Sequence, residues 1–318
     1  EHNVNISGGN DRARYYVSGR YFNQDGIYSA GDEKYTQYNI RSRGEIKINE
    51  ALWLENSTDV MIYRSHQPMV MYDRQLIERQ LQHQGYPMTM EKNPDGTWTE
   101  ASVYTGWAGF VEGTSWQKNN KLDVRNTTTL TFMPIKDQLT FKGDFTYYSS
   151  KSGRLRAENQ YDYYTGPEIK KTRNTFSSLE NYDYNREYMA SNVTGNYVPK
   201  FSDPDHYLNV LLGWNLEHQN YKTIQTYRRG LLYETKPSFA LMGGDYYTTG
   251  QDGYEWAYIG FLYRVNYNYK NRYLAEFSGR YDASSKFPEN QQWGFFPSGS
   301  VGWRIAEEPF MESTRHWL

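Results

Sequence analysis

The sequence contains no cysteine among its 318 residues, and it has no long apolar run. The first absence excludes disulfides, thiol nucleophiles and cysteine-ligated metals. The second excludes a helical membrane protein, since a membrane-spanning helix needs about 20 consecutive apolar residues. A basic excess is also missing, because the formal net charge is −2. A nucleic-acid partner is therefore not expected, since it requires a basic surface.

What the chain has instead is aromatic content, at 17% with 32 tyrosines, and a two-residue alternation of apolar and polar side chains. From Tyr273 to Tyr281 the odd positions are aromatic or small, while the even positions include Glu276 and Arg280. Successive side chains on a β-strand point to opposite faces. The alternation therefore predicts strands with one apolar and one polar face.

The same alternation recurs through the whole chain and predicts about eleven strands. Most are long enough for a tilted membrane-crossing strand, which needs roughly 9–11 residues. The apolar faces so assigned carry no charge, and a Lys or Arg there would cost roughly 2–4 kcal/mol at the centre of a bilayer. A transmembrane β-barrel is thus indicated. The predicted segments are 4–8, 15–21, 36–48, 52–62, 122–132, 139–147, 189–197, 208–216, 257–269, 273–281 and 295–305.

The connections between these segments alternate between tight turns and long links, as they do in outer-membrane barrels with short periplasmic turns and long extracellular loops. Residues 1–318 are accordingly predicted to be a partial transmembrane barrel. Apolar spacing also predicts a helix at 73–81, within the longest link. The predicted extracellular loops are 23–33, 65–120, 151–185, 222–253 and 284–292.

Six stretches, in order along the chain, resemble the SusC/RagA-type TonB-linked outer-membrane transporters of Bacteroidetes. They span both ends of the sequence and include its most regular strands. The closest resemblance is FSGRYDASSKF at 277–287, which is followed by WGFFPS at 293–298. The other four are SGGN at 7–10 leading to YYVS at 15–18, NQDGI at 23–27, NYNYKNRY at 266–273 and GWRI at 302–305.

This resemblance implies an all-β fold in which the chain supplies about 11 strands of a roughly 22-stranded antiparallel barrel. The plug domain and the later strands are then absent from this chain, which is expected to be the central barrel portion of a longer polypeptide. The implied location is the outer membrane of a Gram-negative, Bacteroidetes-like bacterium. The implied partners are the lipid bilayer, a SusD-type surface lipoprotein and TonB, reached through the missing N-terminal part. The resemblance also allows a dimer of the two-protein complex.

No catalytic constellation can be assembled from the sequence. Its six histidines show no metal-ligand spacing, and no glycine-rich phosphate loop is present. We therefore expect no enzyme, no metal and no cofactor. Aromatic loop residues could stack on sugar rings, or equally pack against a lid protein or other loops, while lumen arginines could contact substrate or pair with neighbouring carboxylates. The candidate substrate-binding residues are Trp98, Tyr104, Trp107, Trp116, Tyr246, Tyr247, Trp256, Arg264 and Arg280.

The function expected from these observations is TonB-dependent import of oligosaccharides by the barrel-forming subunit of a SusCD-type complex. A peptide importer of the same family remains an alternative. A soluble carbohydrate-binding β-sandwich also alternates apolar and polar faces, but its strands are usually about 5–6 residues long. The long segments found here favour the barrel.

Overall fold

A computed structural model describes residues 1–69, 82–83, 85–173, 176–244 and 246–314, without the side chains of 246–249 and 313–314. The helix predicted at 73–81 lies outside the described residues. Eleven strands form one sheet, in agreement with the expected number. They are β1 His2–Gly9, β2 Ala13–Asp25, β3 Lys34–Asn49, β4 Leu52–Pro68, β5 Trp116–Ile135, β6 Leu139–Glu158, β9 Ser178–Tyr197, β10 His206–Arg229, β11 Tyr246–Tyr269, β12 Tyr273–Ser284 and β13 Trp293–Trp303.

The strands of the sheet pair antiparallel in chain order, and β1 and β13 form its edges. A second, two-stranded sheet consists of β7, Tyr161–Tyr164, and β8, Lys170–Arg173. Two packed sheets of a β-sandwich are therefore not observed in the described chain, and this alternative is wrong. The described helices are α1, Glu100–Tyr104, and α2, Trp107–Glu112, besides short 3-10 turns. No helix in the described ranges is long and apolar enough to cross a membrane.

The pairing register gives the sheet an apolar face and a polar face. Phe277 of β12 lies opposite Val265 of β11, and in the next row Glu276 lies opposite Asn266. The apolar face is not covered by another layer of the described chain. Phe277 is 54% exposed and Leu212, on β10, is 59% exposed. This face therefore requires an apolar environment from outside the described residues.

Because neighbouring strands are antiparallel, the connections alternate between the two ends of the sheet. We call these the turn end and the loop end. The turn end has the connections 10–12, 50–51, 136–138, 198–205 and 270–272, and the loop end has 26–33, 69–115, 159–177, 230–245 and 285–292. The turn at 270–272 is held by the Arg272 N–H, which donates to the Tyr269 carbonyl at 3.0 Å.

Several strands extend further towards the loop end than the alternation predicts. The predicted segment 208–216 is part of β10, which runs to Arg229, and its partner β11 begins at Tyr246. Beyond Glu217 the side chains on both faces of β10 are polar or aromatic apart from Ile224, so the alternation disappears although the ladder of backbone hydrogen bonds continues. At about 3.3 Å per residue, the 24 residues of β10 make a strand of about 80 Å.

The buried hydrophobic residues of the described chain lie mainly at the loop end. One cluster joins Val103 and Ala108 to Tyr161 and Tyr163, and a second joins Ala157, Leu179 and Met242. Here α1 begins at an N-cap, Thr99, whose hydroxyl accepts the Ser102 N–H at 3.2 Å. The core of this chain therefore consists of small clusters among its connections, while the middle of the sheet has none.

Four uncharged polar residues lie near the middle of the apolar face, between Leu54 and Val60 on β4 and between Leu130 and Val124 on β5. The Asn56 amide donates to Thr128 Oγ1 at 2.8 Å, and the Asn126 amide donates to Thr58 Oγ1 at 2.7 Å. The two amides also bond to each other, at 3.3 and 3.2 Å. We call these four residues, Asn56, Thr58, Asn126 and Thr128, the amide quartet. It satisfies its own donors.

We predict that Asn126→Ala lowers the free energy of unfolding by about 1–3 kcal/mol, because Thr58 loses its donor and one bond of the Asn56 amide is lost on an apolar face that offers no replacement. Asn56→Val combined with Asn126→Val should cost less than the sum of the two single changes, since no unpaired amide remains. Urea unfolding of the complete protein in detergent measures both. Additive losses would contradict the closed network.

At the turn end, the Glu308 carboxylate links the last two strands, β12 and β13, by hydrogen bonds. It accepts the Tyr273 hydroxyl at 2.5 Å, the Trp303 indole N–H at 3.0 Å and an Arg272 guanidinium N–H at 3.1 Å. The Glu308 side chain is 8% exposed. The hydrogen bond from Tyr273, followed by that from Trp303, holds the pKa of Glu308 below its usual value.

A carboxylate whose pKa is lowered on folding stabilises the protein above its unfolded-state pKa, and this contribution disappears as the pH falls through the lowered value. Glu308→Gln should therefore reduce the unfolding midpoint at neutral pH. The difference from the unsubstituted protein should shrink below about pH 4.3, the ordinary glutamate pKa. Unfolding measured from pH 7 to pH 3 tests this, and a difference that stays constant over that range would refute it.

Candidate functional site

The polar face carries a band of aromatic side chains. The band extends from the middle of the sheet towards the loop end. They face the same side because the pairing register places them in phase on β3, β4, β6, β9, β10 and β11. We call this set the tyrosine band. Its members are Tyr35, Tyr63, Tyr148, Tyr182, Tyr184, Tyr188, Tyr221, Tyr254, Trp256 and Tyr258.

The rings of the tyrosine band are held in place by one another. Tyr221 stacks on Tyr254 with ring centroids 4.9 Å apart, and Tyr184 lies 5.9 Å from Tyr221 on the other side. On β3 and β4, Tyr35 stacks on Tyr63 at 5.6 Å. Aromatic pairs at such distances stabilise each other beyond simple area burial. The rings of the band are therefore held in fixed orientations, and their faces and phenol hydroxyls are available to a ligand on the polar side.

Arginines lie against several of these rings. The Arg125 guanidinium is 5.1 Å from the Tyr148 centroid, and that of Arg186 is 5.8 Å from Tyr221. A guanidinium over a ring is attracted by the negative π face. These contacts fix the rings further and place N–H donors beside them. The arrangement can bind a ligand with flat apolar patches and many hydroxyl or amide groups.

In the same rows as the tyrosine band, charged side chains of the polar face pair with one another. Arg41 bonds to Asp59 at 2.5 Å, and Lys121 bonds to Asp123 at 2.8 Å. A recess of about 540 Å³ lies beside Arg41, Asp59 and Asp123. Since positive and negative groups are interspersed, this part of the face has no ring of one sign that would select an ion by charge.

Arg280, one of the predicted site residues, is the centre of a polar network that joins three strands. Its Nη2 donates to Asn215 Oδ1 at 2.8 Å and to the Tyr258 hydroxyl at 3.0 Å, and its Nε donates to Asp282 at 3.1 Å. Gly260 makes room for this network, since a Cβ there would lie 2.7 Å from Asn215 Oδ1. Arg280 thus has a structural role on the polar face and keeps a 40% exposed side chain.

The other predicted strand residues occupy different positions. Trp256 belongs to the tyrosine band, where its ring lies 6.4 Å from Tyr188 and 4.9 Å from the Lys286 ammonium. Arg264 is exposed on the polar face and forms no ion pair in the described part of the chain. Tyr246 and Tyr247 lie in β11, opposite β10, but their side chains are outside the described residues.

The four predicted loop residues are dispersed over the loop end. Trp98 packs on the cluster containing Val103 and Tyr161, and its indole N–H donates to the Glu112 carboxylate. Trp107 stacks on Phe110 at 5.9 Å. These two side chains therefore hold the connections together. We call the folded part of these connections, residues 85–115 and 159–173, the loop module.

Tyr104 remains accessible to cations and solvent, whereas Trp116 is half-buried and packs on the cluster of Ala157, Leu179 and Met242. Tyr104 is 47% exposed, with the Arg173 guanidinium 3.7 Å from its ring centroid. Tyr104 also lines a recess of about 540 Å³ together with Tyr164 and Glu100. Trp116, the first residue of β5, lies beneath the Lys118 ammonium at 4.4 Å. The structure therefore does not join the nine predicted residues into one site.

Two ionisable groups of the loop module titrate away from their ordinary values. Burial raises the pKa of the Tyr161 phenol, whose oxygen accepts the Ser115 N–H at 3.0 Å. The Lys170 ammonium, 2.7 Å from Asp162, lowers the pKa of that carboxyl group. Both groups join segments of the module to each other. In the described ranges, no three histidine, aspartate or glutamate side chains are placed to hold a metal ion.

The tyrosine band was not identified from the sequence. Its signal is present in the spacing of Tyr182, Tyr184 and Tyr188, which share the even parity of β9. A tyrosine on a strand is equally typical of an interfacial girdle on the opposite face. Only the register across several strands shows which parity faces the polar side.

The sequence of the chain is similar to those of known TonB-dependent receptors. No protein-family model matches the chain. The chain is 26% identical to TonB-dependent receptor P3 of Formosa agariphila over 97% of its own length and 30% of that relative. It is 44% identical to TonB-dependent receptor SusC of Bacteroides thetaiotaomicron over 54 residues, which are 17% of the chain and 5% of SusC. The chain spans 30% of the length of P3.

Among solved structures, the RagAB peptide transporter is similar with a TM-score of 0.74 and 18% identity, over 98% of this chain and 34% of that one. A likeness at this identity shows the fold, which is all-β and similar to the barrels of TonB-dependent transporters. The resemblance to the SusC/RagA-type family is confirmed by these matches, and the partial coverage fits a segment of the barrel.

We predict different consequences for the two kinds of loop aromatic. Trp98→Ala should accelerate limited proteolysis of the loop module about tenfold or more, because removing a packed ring costs more than the ~1.4 kcal/mol that a tenfold change requires. Tyr104→Ala, at an exposed ring nearby, should leave the cleavage rate nearly unchanged. Equal acceleration by both substitutions would contradict the packing role of Trp98.

Proposed function

We propose, from the similarity to TonB-dependent receptors, that the chain forms about half of the wall of a roughly 22-stranded outer-membrane barrel and that the whole protein imports a hydrophilic nutrient. The observation that supports this most strongly is the uncovered apolar face of a sheet whose other face is polar and hydrated. Further strands of a longer polypeptide would pair with the edges β1 and β13, since open edges do not persist in a bilayer.

In this proposal the apolar face contacts lipid, the polar face lines the lumen, and the loop end is extracellular. The loops 23–33, 65–120, 151–185, 222–253 and 284–292 would then surround the entrance. A SusD-type surface lipoprotein would cover it, and a plug domain outside this chain would couple it to TonB. A dimer of that two-protein complex is consistent with the proposal. The chain's own contribution is wall and binding surface, without bond chemistry.

The tyrosine band supports an oligosaccharide as the first candidate substrate. Sugar rings have apolar C–H faces that pack on aromatic planes, and their hydroxyls can bond to phenols and guanidinium groups. Tyr221 and Tyr254 offer such planes next to Arg186. The charged groups beside the band pair with one another, as Arg41 does with Asp59 and Lys121 with Asp123, so they produce no strong electrostatic field that would favour a charged substrate. A neutral, hydroxyl-rich ligand fits both features.

A peptide is the second candidate, because the solved neighbour with a TM-score of 0.74 is named a peptide transporter. An extended peptide would present amides to the same phenols and arginines, and its side chains could enter the recess beside Tyr104 and Tyr164. We retain both substrates as outcomes of one experiment. The predicted site residues Trp98, Tyr104, Trp107, Trp116, Tyr246, Tyr247, Trp256, Arg264 and Arg280 remain proposals for either ligand.

The experiment is calorimetric binding of neutral oligosaccharides and of defined oligopeptides to the complete protein with its lipoprotein, in detergent. Tyr148→Ala should weaken binding about 5- to 10-fold, because one aromatic contact contributes roughly 1–1.5 kcal/mol. Tyr147→Ala is the matched control, since Tyr147 is the preceding residue and lies on the apolar face.

Each result has a definite meaning. Binding of oligosaccharides that is weakened by Tyr148→Ala alone supports the first candidate. If oligopeptides bind and oligosaccharides do not, the second candidate, a peptide substrate, is supported. If no member of either class binds, or if Tyr147→Ala weakens binding as much as Tyr148→Ala, the tyrosine band is not the substrate surface.

A further inference from the structure

A pocket of about 590 Å³ lies at the loop end of the apolar face, where basic side chains of three adjacent strands converge. Lys34 on β3, His66 on β4 and Lys118 on β5 lie directly opposite one another in the register. Arg64 occupies the next row towards the turn end. Because neighbouring strands are about 4.8 Å apart, four basic groups are placed within a narrow area. We call this the basic pocket.

Three of the four basic side chains have no ion-pair partner among the described residues. In the described residues, Lys34, Arg64 and Lys118 form no ion pair, and the only ring contact of Lys118 is with Trp116 at 4.4 Å. His66 bonds to the Asp32 carbonyl at 2.7 Å and lies 3.7 Å from its carboxylate. An unpaired group of like charges is unfavourable by itself, so an external anion would stabilise it.

Two carboxylates border the basic pocket: Asp25 on β2 is the register partner of Lys34, and Asp183 on β9 lies on the far wall. Asp183 accepts the Asn181 amide at 2.5 Å, and it faces the space beside Gly153. A Cβ at Gly153 would lie 2.6 Å from Asn120 Oδ1 and 2.8 Å from Asp183 Oδ1. The glycine therefore keeps this side of the pocket open. The excess of positive charge remains on the side formed by β3, β4 and β5.

The position of the basic pocket indicates what kind of anion it holds. On the same face, the next row towards the turn end contains Tyr38, Ile62 and Leu122, with which the exposed apolar surface begins. A molecule seated here would have its charged group among the cations and its hydrocarbon along that surface. Juxtamembrane Lys and Arg residues bind lipid headgroups in this way.

We propose that the basic pocket binds the phosphate of an outer-leaflet lipid, with Arg64, Lys34 and Lys118 as the main contacts and the acyl chains lying along the apolar face. The proposal rests on the proposed function to the extent that this face contacts the membrane. A free inorganic phosphate has the same chemistry but gains nothing from the adjoining apolar residues. An acidic surface of a partner protein would be a different occupant, and the test separates it.

The test uses the complete protein with its lipoprotein, purified in a nonionic detergent and examined by native mass spectrometry. The probes are a diphosphorylated lipid A, the same lipid with its phosphates removed, and inorganic phosphate. Arg64→Gln combined with Lys118→Gln removes two contacts without shortening the side chains greatly. The matched control combines Arg14→Gln with Lys142→Gln, which removes one arginine and one lysine from the polar face.

We expect the phosphorylated lipid to remain bound to the unsubstituted protein and to the control. Removal of Arg64 and Lys118 should weaken this binding roughly 30-fold, on the basis of about 1 kcal/mol per basic residue at a lipid surface. The dephosphorylated lipid should bind no better to the unsubstituted protein than to the variant. Heat-modified electrophoretic mobility confirms that each variant is folded.

Three outcomes would overturn the proposal: equal binding of the dephosphorylated lipid, equal loss in the control, or full competition by inorganic phosphate at the lipid's own concentration. Loss of the lipoprotein rather than of the lipid from the Arg64 and Lys118 variant would assign the pocket to a protein contact. Nutrient binding is measured separately on the same preparations. A failure of the import proposal therefore leaves the lipid result interpretable, and the reverse also holds.

Discussion

The structure depends on a sheet that must satisfy its backbone while leaving one apolar face uncovered. The antiparallel ladder pairs the amides and carbonyls of the inner strands with each other, so these strands need no solvent for their backbone. Their side chains then divide by parity, and in the half of the sheet nearest the turn end the charged groups lie on the polar face. The amide quartet shows how strict this requirement is. Polar side chains near the middle of the apolar face, Asn56 and Asn126 among them, are accompanied by partners for their donors.

The same division creates a binding surface on the opposite side. Side chains such as Tyr184 and Tyr221 have no role in covering the apolar face, and they line the polar one with stacked rings and phenol hydroxyls. Beside these rings, ion pairs such as Arg41 with Asp59 balance the charge of the polar face. In the proposed function, a face of this composition would bind a neutral, hydroxyl-rich solute through aromatic and hydrogen-bonding contacts.

The loop end combines stability with recognition. Its clusters supply buried hydrophobic packing that the sheet lacks, and Trp98 contributes by packing on Tyr161 and Val103. Aromatic residues in an outer loop are thus of two kinds, packed and accessible, and composition does not distinguish them. The basic pocket illustrates the same point for charge. Lys34 and Lys118 are far apart in sequence, yet the register places them on either side of His66.

The amino-acid sequence by itself determined the eleven strands of the large sheet and which side of each is apolar, but not the short strands β7 and β8, which lie in the predicted loop 151–185. Alternation is a local property, since each residue of a strand such as β12 points away from its neighbours. It also indicated the resemblance to the SusC/RagA-type transporters, which the comparisons confirm. The sequence did not show how far strands continue where both faces become polar, as β10 does beyond Glu217. It also could not show that Tyr148 and Tyr188 are neighbours or that Trp98 is packed. Those facts depend on the register between strands and on contacts across long connections, which bring together residues far apart in the chain, so only the tertiary structure decided them.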